Sequence, residues 1–194
     1  MNNKITAIVL AGGNARRMGG IDKGLVLVKG EYLICYVLKR IESQVEFLMI
    51  NANRNLETYK ILSKHVIEDH TNQRLGPLAG IQAGLYKCKT PYMISIPCDM
   101  PKIPLDICNR LYINLLEQDA DCAMPVTLDK KGVKRTHPAI LLLKKQLIDS
   151  LDLFLESGGR KIDQWTSGLN CCEVLFDDAQ DFININNIED INGI

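Results

Sequence analysis

The sequence predicts an α/β fold, a mostly parallel sheet with helices on both faces, and three observations carry that expectation. Short apolar runs rich in β-branched residues recur along the chain. Segments with helical spacing of apolar residues separate them. Several of the runs stop in Gly, Asn or Asp. Strand–helix–strand units of this kind need crossover connections, and crossovers favour parallel strands covered by helices.

The first run, Ile5 to Leu10, is halted by Ala11-Gly12-Gly13, so it reads as a buried strand feeding a glycine loop. Tyr32 to Ile41 follows as a helix, with Leu33, Val37 and Ile41 spaced four apart on one face. Glu46 to Asn51 and His65 to Ile67 have strand length, Pro77 to Cys88 has helical spacing, and Tyr92 to Pro97 is again strand-like. Leu105 to Leu116 is the next helix. Asp121 to Val126 and Ala139 to Leu143 are the next strands, and the short run Glu173 to Phe176 closes the series. No internal repeat or proline-rich linker interrupts it, and 194 residues with 46% apolar composition suit one domain over 1–194.

Composition excludes several classes of function. The 23 Lys+Arg balance the 23 Asp+Glu, and no block of like charge offers a footprint for nucleic acid or an anionic membrane. Any phosphate site must therefore be local. Ile5 to Ala11 is too short to span a bilayer, and Arg16-Arg17 follows that run instead of preceding it, so no export signal is expected. Seven cysteines form an odd set without C-x-x-C spacing, which suits reduced thiols in the cytoplasm. Three scattered histidines do not suggest a zinc centre. The neutral charge suits a monomer or a weak oligomer.

In open α/β sheets, ligands collect beyond the carboxyl ends of the strands, where loop amides and helix N-termini converge. Leu10 runs into Gly12-Gly13, Ile50 into Asn51, and Ile96-Pro97 into Cys98-Asp99-Met100-Pro101. The chemistry is expected where these ends meet.

Within L-A-G-G-N-A-R-R-M-G-G-I-D-K-G, residues 10 to 24, the glycines let backbone amides approach an anion while Arg16, Arg17 and Lys23 supply positive charge. Arg can grip two phosphate oxygens at once and Lys acts as a point charge, a combination that suits a polyphosphate. A plain tight turn with a solvated basic loop is the other reading. The segment matches neither G-x-x-x-x-G-K-[ST] nor G-x-G-x-x-G. In P-C-D-M-P, Asp99 stands between two prolines that stiffen its turn; it suits a Mg²⁺ ligand, since that ion takes few protein carboxylates, and it equally suits an Asx-turn. Asp69 and Asn51 also stand at strand ends, where a carboxylate can accept from the N1–H and N2–H₂ of guanine and an Asn can read base or ribose. Each also fits a simple turn. In G-P-L-A-G-I-Q-A-G-L, residues 76 to 85, a helix N-terminus could meet a ligand, or the glycines could let the helix lie tight on the sheet.

Taken together, L-A-G-G-x-x-x-R-M-G-G-x-D-K, N-A-N-R, V-I-E-D, G-P-L-A-G, P-C-D-x-P and the late F-I-N-I-N resemble the molybdenum cofactor guanylyltransferase family, in order and over almost the whole chain. The resemblance implies a Rossmann-like fold of the nucleotide-diphospho-sugar transferase type and transfer of GMP from Mg²⁺-GTP to molybdenum-loaded molybdopterin, with release of pyrophosphate. It implies GTP contacts at Leu10, Ala11, Gly12, Lys23, Asn51, Asp69 and Asp99, with Asp99 also the metal ligand. On the same footing Arg17, Lys23 and the amides around Gly12 and Gly13 would neutralise the triphosphate. The segment from about Arg135 becomes the acceptor side, through His137-Pro138, Gly158-Gly159-Arg160-Lys161, and Asn184 with Asn186. His137 equally fits a packed strand residue. After Asn186 the family commonly continues Thr-Pro-Glu-Asp, whereas this chain reads Asn187-Ile188-Glu189-Asp190. The family also implies the molybdenum insertion enzyme and recipient apo-enzymes as partners.

The acceptor phosphate is already ionised and needs no general base, so catalysis rests on positioning and charge neutralisation. A cytidylyltransferase acting on molybdopterin or another phosphorylated acceptor is the alternative. The family member using CTP tends to carry L-A-A-G where this chain has Leu10-Ala11-Gly12-Gly13, so guanine is favoured. A non-catalytic nucleotide-binding module would be expected to lack Lys23 or Asp99, and both are present.

Overall fold

A computed structural model describes residues 4–13, 22–70 and 76–185 of the chain. In chain order its elements are β1 (Ile5–Leu10), β2 (Leu27–Val28), β3 (Glu31–Tyr32), α1 (Leu33–Ile41), β4 (Phe47–Asn51), α2 (Leu56–Leu62), β5 (Val66–Ile67), α3 (Pro77–Lys87) and β6 (Tyr92–Pro97). They continue with α4 (Ile107–Glu117), β7 (Cys122–Leu128), β8 (Lys134–Thr136), β9 (Leu141–Lys144), α5 (Ile148–Glu156), α6 (Ile162–Thr166) and β10 (Cys171–Phe176). The main sheet has the order β10-β7-β9-β6-β1-β4-β5, with β8 paired to the end of β7. Strands β6, β1, β4 and β5 are mutually parallel, as are β7 and β10. Only β9, antiparallel to both β6 and β7, reverses the direction within that order.

Alternation along the strands sends successive side chains to opposite faces. Ala7 and Val9 of β1, with Ile94 and Ile96 of β6, pack on α1 and α4 through Ile34, Val37, Ile41, Ile107, Leu111 and Leu115. Ile8 and Met93 point the other way, toward Leu78, Ile81 and Leu85 of α3, Leu151 and Leu155 of α5, and Trp165 of α6. Both faces are therefore covered, as the strand–helix alternation predicts. Each buried Leu or Ile side chain contributes about 1.5–3 kcal/mol relative to its exposed state.

The predicted strands are all found, with some shifts. The Ala139 run begins as a strand only at Leu141, because the Ala139 carbonyl accepts from Ser95 Oγ at 3.0 Å and Ile140 N–H closes a turn on His137 at 2.9 Å. The strand predicted from Asp121 extends to Leu128, where β8 supplies a partner. The helices α2, α5 and α6 and the strands β2, β3 and β8 are not among the predicted elements; β2 and β3 are only two residues each, and β8 is fully exposed and carries charge, so none has an apolar pattern to read.

Helix α3 lies unusually close to the sheet. A Cβ on Gly84 would meet Ile8 Cδ1 at 2.7 Å and Met93 Sδ at 2.8 Å, and one on Gly80 would collide with Asn51 Oδ1. The close-packing reading of G-P-L-A-G-I-Q-A-G-L is therefore the one the structure supports at these two glycines.

Candidate active site

The three loaded strand ends are neighbours. In register, Leu10 lies opposite Asn51 on one side and Pro97 on the other. The pairing continues one residue past the strands: Ala11 N–H donates to the Asn51 carbonyl at 2.8 Å, and Cys98 N–H to the Leu10 carbonyl at 3.2 Å. Gly12, Asn51 and Asp99 thus open onto one edge of the sheet.

At the β6 corner, Lys23 Nζ forms an ion pair with Asp99 Oδ2, although the two residues are 76 positions apart. The pair is shielded, with side chains 24% and 13% exposed. The other carboxylate oxygen, Asp99 Oδ1, is buried and has no hydrogen-bond partner among the described residues. Buried polar oxygens are nearly always satisfied, and leaving one bare costs about 1–3 kcal/mol, so this atom marks a place for a further cation or donor. A carboxylate with one oxygen unpartnered among the described residues, at the carboxyl edge of the sheet, fits the donor chemistry of a Mg²⁺ site. Among the described residues no cluster of three or more His, Cys, Asp or Glu forms a closed metal cage.

Lys23 is held by the residue before it. Asp22 is buried, accepts from Tyr59 Oη at 2.7 Å and Asn55 Nδ2 at 3.0 Å, and faces Arg54 Nε at 3.6 Å. Burial, then the hydrogen bond to Asp22, pushes the Tyr59 hydroxyl far above its ordinary range, so it stays a donor. Arg54 also donates to the Gly13 carbonyl at 3.2 Å and so ties the glycine turn to the Lys23 turn. Beneath both, Gly24 has Tyr59 Oη at 2.6 Å and Cys98 Sγ at 3.5 Å from where a Cβ would stand. Burial first, then the charge of Asp99, pushes the Cys98 thiol up, which leaves it without thiolate character and unsuited to act as a nucleophile.

At the β5 corner, the carboxylate of Asp69 is gripped by two amides. Asn51 Nδ2 donates to Oδ1 at 2.9 Å and Asn53 Nδ2 to Oδ2 at 2.7 Å. Asn51 is buried, and its carboxamide lies against Gly12 and Gly80.

On the far side of Asp99, Ile185 N–H donates to the Asp99 carbonyl at 2.9 Å. This brings the segment after Phe182 to the Asp99 turn. Phe182 stacks on His137 with ring centroids 4.6 Å apart, and His137 Nε2 lies 2.9 Å from Thr127 Oγ1. Burial, then the charge of Arg135, lowers the His137 pKa below its ordinary 6.5.

A family model described as the MobA-like NTP transferase domain matches residues 7–169. A molybdenum cofactor guanylyltransferase of Bordetella petrii is 46% identical over 190 residues, covering 98% of this chain and 96% of the relative. One of Cupriavidus necator is 44% identical over 187 residues, covering 96% and 94%. The chain belongs to the molybdenum cofactor guanylyltransferase family. The crystal structure of the molybdopterin-guanine dinucleotide biosynthesis protein A of Archaeoglobus fulgidus shares the fold, with a TM-score of 0.73 at 23% identity, covering 97% of this chain and 95% of the other. The nucleotide-diphospho-sugar transferase type of fold implied by the sequence is therefore the one observed.

For a guanylyltransferase of this family, the structure brings together most of the residues singled out from sequence. Leu10, Ala11, Gly12, Asn51 and Asp69 share the β1–β4–β5 side of the crevice, and Lys23 and Asp99 meet at its β6 side. Gly13 is exposed beside Arg54. Asn184 is exposed and adjoins Ile185 at the Asp99 turn. Arg17 and Asn186 lie outside the described residues. Arg160 spends its guanidinium on the carbonyls of Leu155 and Gly159, at 2.9 and 2.5 Å, while its backbone carbonyl comes within 3.9 Å of where a Cβ on Gly76 would stand. The 158–161 turn therefore adjoins the start of α3. The sequence gives Asp22, Asn53 and Arg54 only as letters of the motifs x-D-K and N-A-N-R, with no role assigned, and Tyr59 is not singled out at all.

Proposed function

We propose that this chain transfers GMP from GTP to molybdenum-loaded molybdopterin, producing the guanine dinucleotide form of the cofactor and pyrophosphate. The observation that carries this reading is the Lys23–Asp99 pair with its bare carboxylate oxygen, standing beside the glycine turn at adjacent carboxyl ends of β1 and β6. The names of the relatives supply the donor and acceptor classes and disfavour the cytidylyl alternative.

Asp99 would hold Mg²⁺ through Oδ1, and the ion, when bound, would supply charge neutralisation to the triphosphate. Lys23, released from part of its pairing with Asp99, neutralises the phosphates as negative charge grows on the departing pyrophosphate. The backbone amides around Gly12 and Gly13 serve the same phosphates, and Arg17 adds a bidentate cation. Asp69 accepts from the guanine N1–H and N2–H₂, and Asn51 holds that carboxylate in place. The acceptor lies on the side of β7 and the segment from about residue 135, with Asn184 contributing from beside the Asp99 turn and Asn186, which lies outside the described residues, contributing as the resemblance implies. The protein works as one unit, donor side first and acceptor side second, as a monomer or weak oligomer. Its seven unpaired thiols suit the reducing cytoplasm. The insertion enzyme that loads molybdenum and the apo-enzymes that receive the product are the partners this reaction requires.

The test is pyrophosphate release on mixing protein, Mg²⁺, nucleotide and molybdenum-loaded molybdopterin. Release with GTP and little with CTP supports the reading, and equal release with both nucleotides, or none, refutes it.

A further inference from the structure

We propose that Asn53 is a specificity-positioning residue, which sets the plane of the Asp69 carboxylate so that its outward lone pairs meet guanine. The inference rests on the assignment of Asp69 as the base reader and extends it to a side chain that nothing above gives a role.

The geometry is a closed ring of hydrogen bonds. Asn53 Nδ2 donates to Asp69 Oδ2 at 2.7 Å, and Asp69 N–H donates back to Asn53 Oδ1 at 2.9 Å. One amide thus grips both the side chain and the backbone of the same residue, which fixes which end of the amide is nitrogen and which is oxygen. Asn51 Nδ2 takes the other carboxylate oxygen at 2.9 Å. A carboxylate has about four acceptor positions, so two amide donors still leave one on each oxygen. With the plane held as proposed, those two remaining positions would serve two adjacent donors of a purine Watson–Crick edge.

The ring also stands at the glycine turn. A Cβ on Gly12 would lie 2.8 Å from Asn53 Nδ2 and 3.0 Å from Asn51 Oδ1, so the amides that hold Asp69 press directly on the glycine turn. Asn53 can occupy this place because Asn55, two residues on, adopts a left-handed conformation with φ of 51°, turning the chain into α2 with Arg54 aimed at Gly13 and Asp22. An exposed loop amide with no role would have no reason to satisfy both its groups on one neighbour.

Asn53→Ala and Asp69→Asn are compared by calorimetric binding of Mg²⁺-GTP and Mg²⁺-ITP, since inosine lacks the 2-amino donor and asks less of the carboxylate. For Asn53→Ala, GTP affinity should fall about tenfold and ITP affinity only about threefold, with kcat at saturating GTP within about threefold of wild type. Thermal denaturation checks that the variant folds. Asn53→Ser, which retains a short donor, should lie between wild type and alanine, and it serves as the reporter if the alanine variant does not fold. Equal loss of GTP and ITP, or no loss of either, while Asp69→Asn narrows the GTP-over-ITP preference, overturns the role of Asn53. If Asp69→Asn keeps the wild-type preference for GTP over ITP, the base-reading assignment fails, and the role of Asn53 with it.

Discussion

Two carboxylates follow strands that end on the same edge of the sheet, Asp69 after β5 and Asp99 after β6, and their surroundings differ in kind. Asp99 has one oxygen against a lysine and the other bare and buried. Asp69 has both oxygens held by neutral amides. A bare buried oxygen beside a cation is costly unless more positive charge arrives, whereas an amide-held carboxylate is already satisfied and only oriented. The first arrangement suits a metal and phosphates, and the second suits the N–H edge of a base. Identical side chains acquire separate tasks from what stands next to them.

The sharpest way to break this contrast is to remove each carboxylate in turn. Asp99→Ala is expected to lower kcat about 10³-fold or more at saturating GTP, because charge stabilisation is lost in the transition state. A loss no larger than that of Asn51→Ala, in the same pyrophosphate assay, removes the distinction. Asp69→Asn should leave kcat nearly intact while the GTP-over-CTP ratio in kcat/KM falls about tenfold. Unchanged selectivity excludes Asp69 from base reading.

Two further variants sharpen the comparison through the supports. Gly80→Ala drives a methyl group into Asn51 Oδ1 and to 2.8 Å from Leu10 Cδ2. It should destabilise the fold by about 1–3 kcal/mol and raise the KM for GTP through the Asp69 corner, as measured by denaturant unfolding and steady-state kinetics. Tyr59→Phe deprives Asp22 of its 2.7 Å hydrogen bond and should cost about 1–2 kcal/mol, felt at the Lys23 corner alone. The smallest expected effect is at His137. Burial lowers the affinity of His137 for a proton, so protonation favours the unfolded chain; this contribution to stability is complete above pH 6.5 and declines as pH falls below it. In melting temperatures followed from pH 7.5 to 5.5, His137→Gln should show a flatter decline than wild type.

The sheet and its crevice were legible because they rest on periodicity and strand endings, which are local. Leu10, Asn51 and Asp99 each terminate an apolar run, and parallel pairing with a shared register then brings the ends together. The reversed strand β9 was read as a strand, but its direction was not, since alternation of apolar residues is the same either way along the chain. The supporting polar groups were hidden for another reason. Asn53 and Arg54 look like ordinary loop residues, and Asp22 like a solvated acid; their roles arise from partners 16 to 41 positions distant. His137 illustrates the limit of residue type as a signal. Its ring is stacked on Phe182 and hydrogen-bonded to Thr127, so the packed-residue reading describes its surroundings.

Strand β9 carries one last consequence. It lies between β6 and β7 and runs against both, so the carboxyl ends of those two strands stand two inter-strand spacings apart, about 10 Å. The amino end of β9 fills the gap, entered from the turn at His137. A polypeptide inserted upside down thus acts as a molecular spacer bar. It keeps the mouth of one half of the sheet a fixed stride from the other.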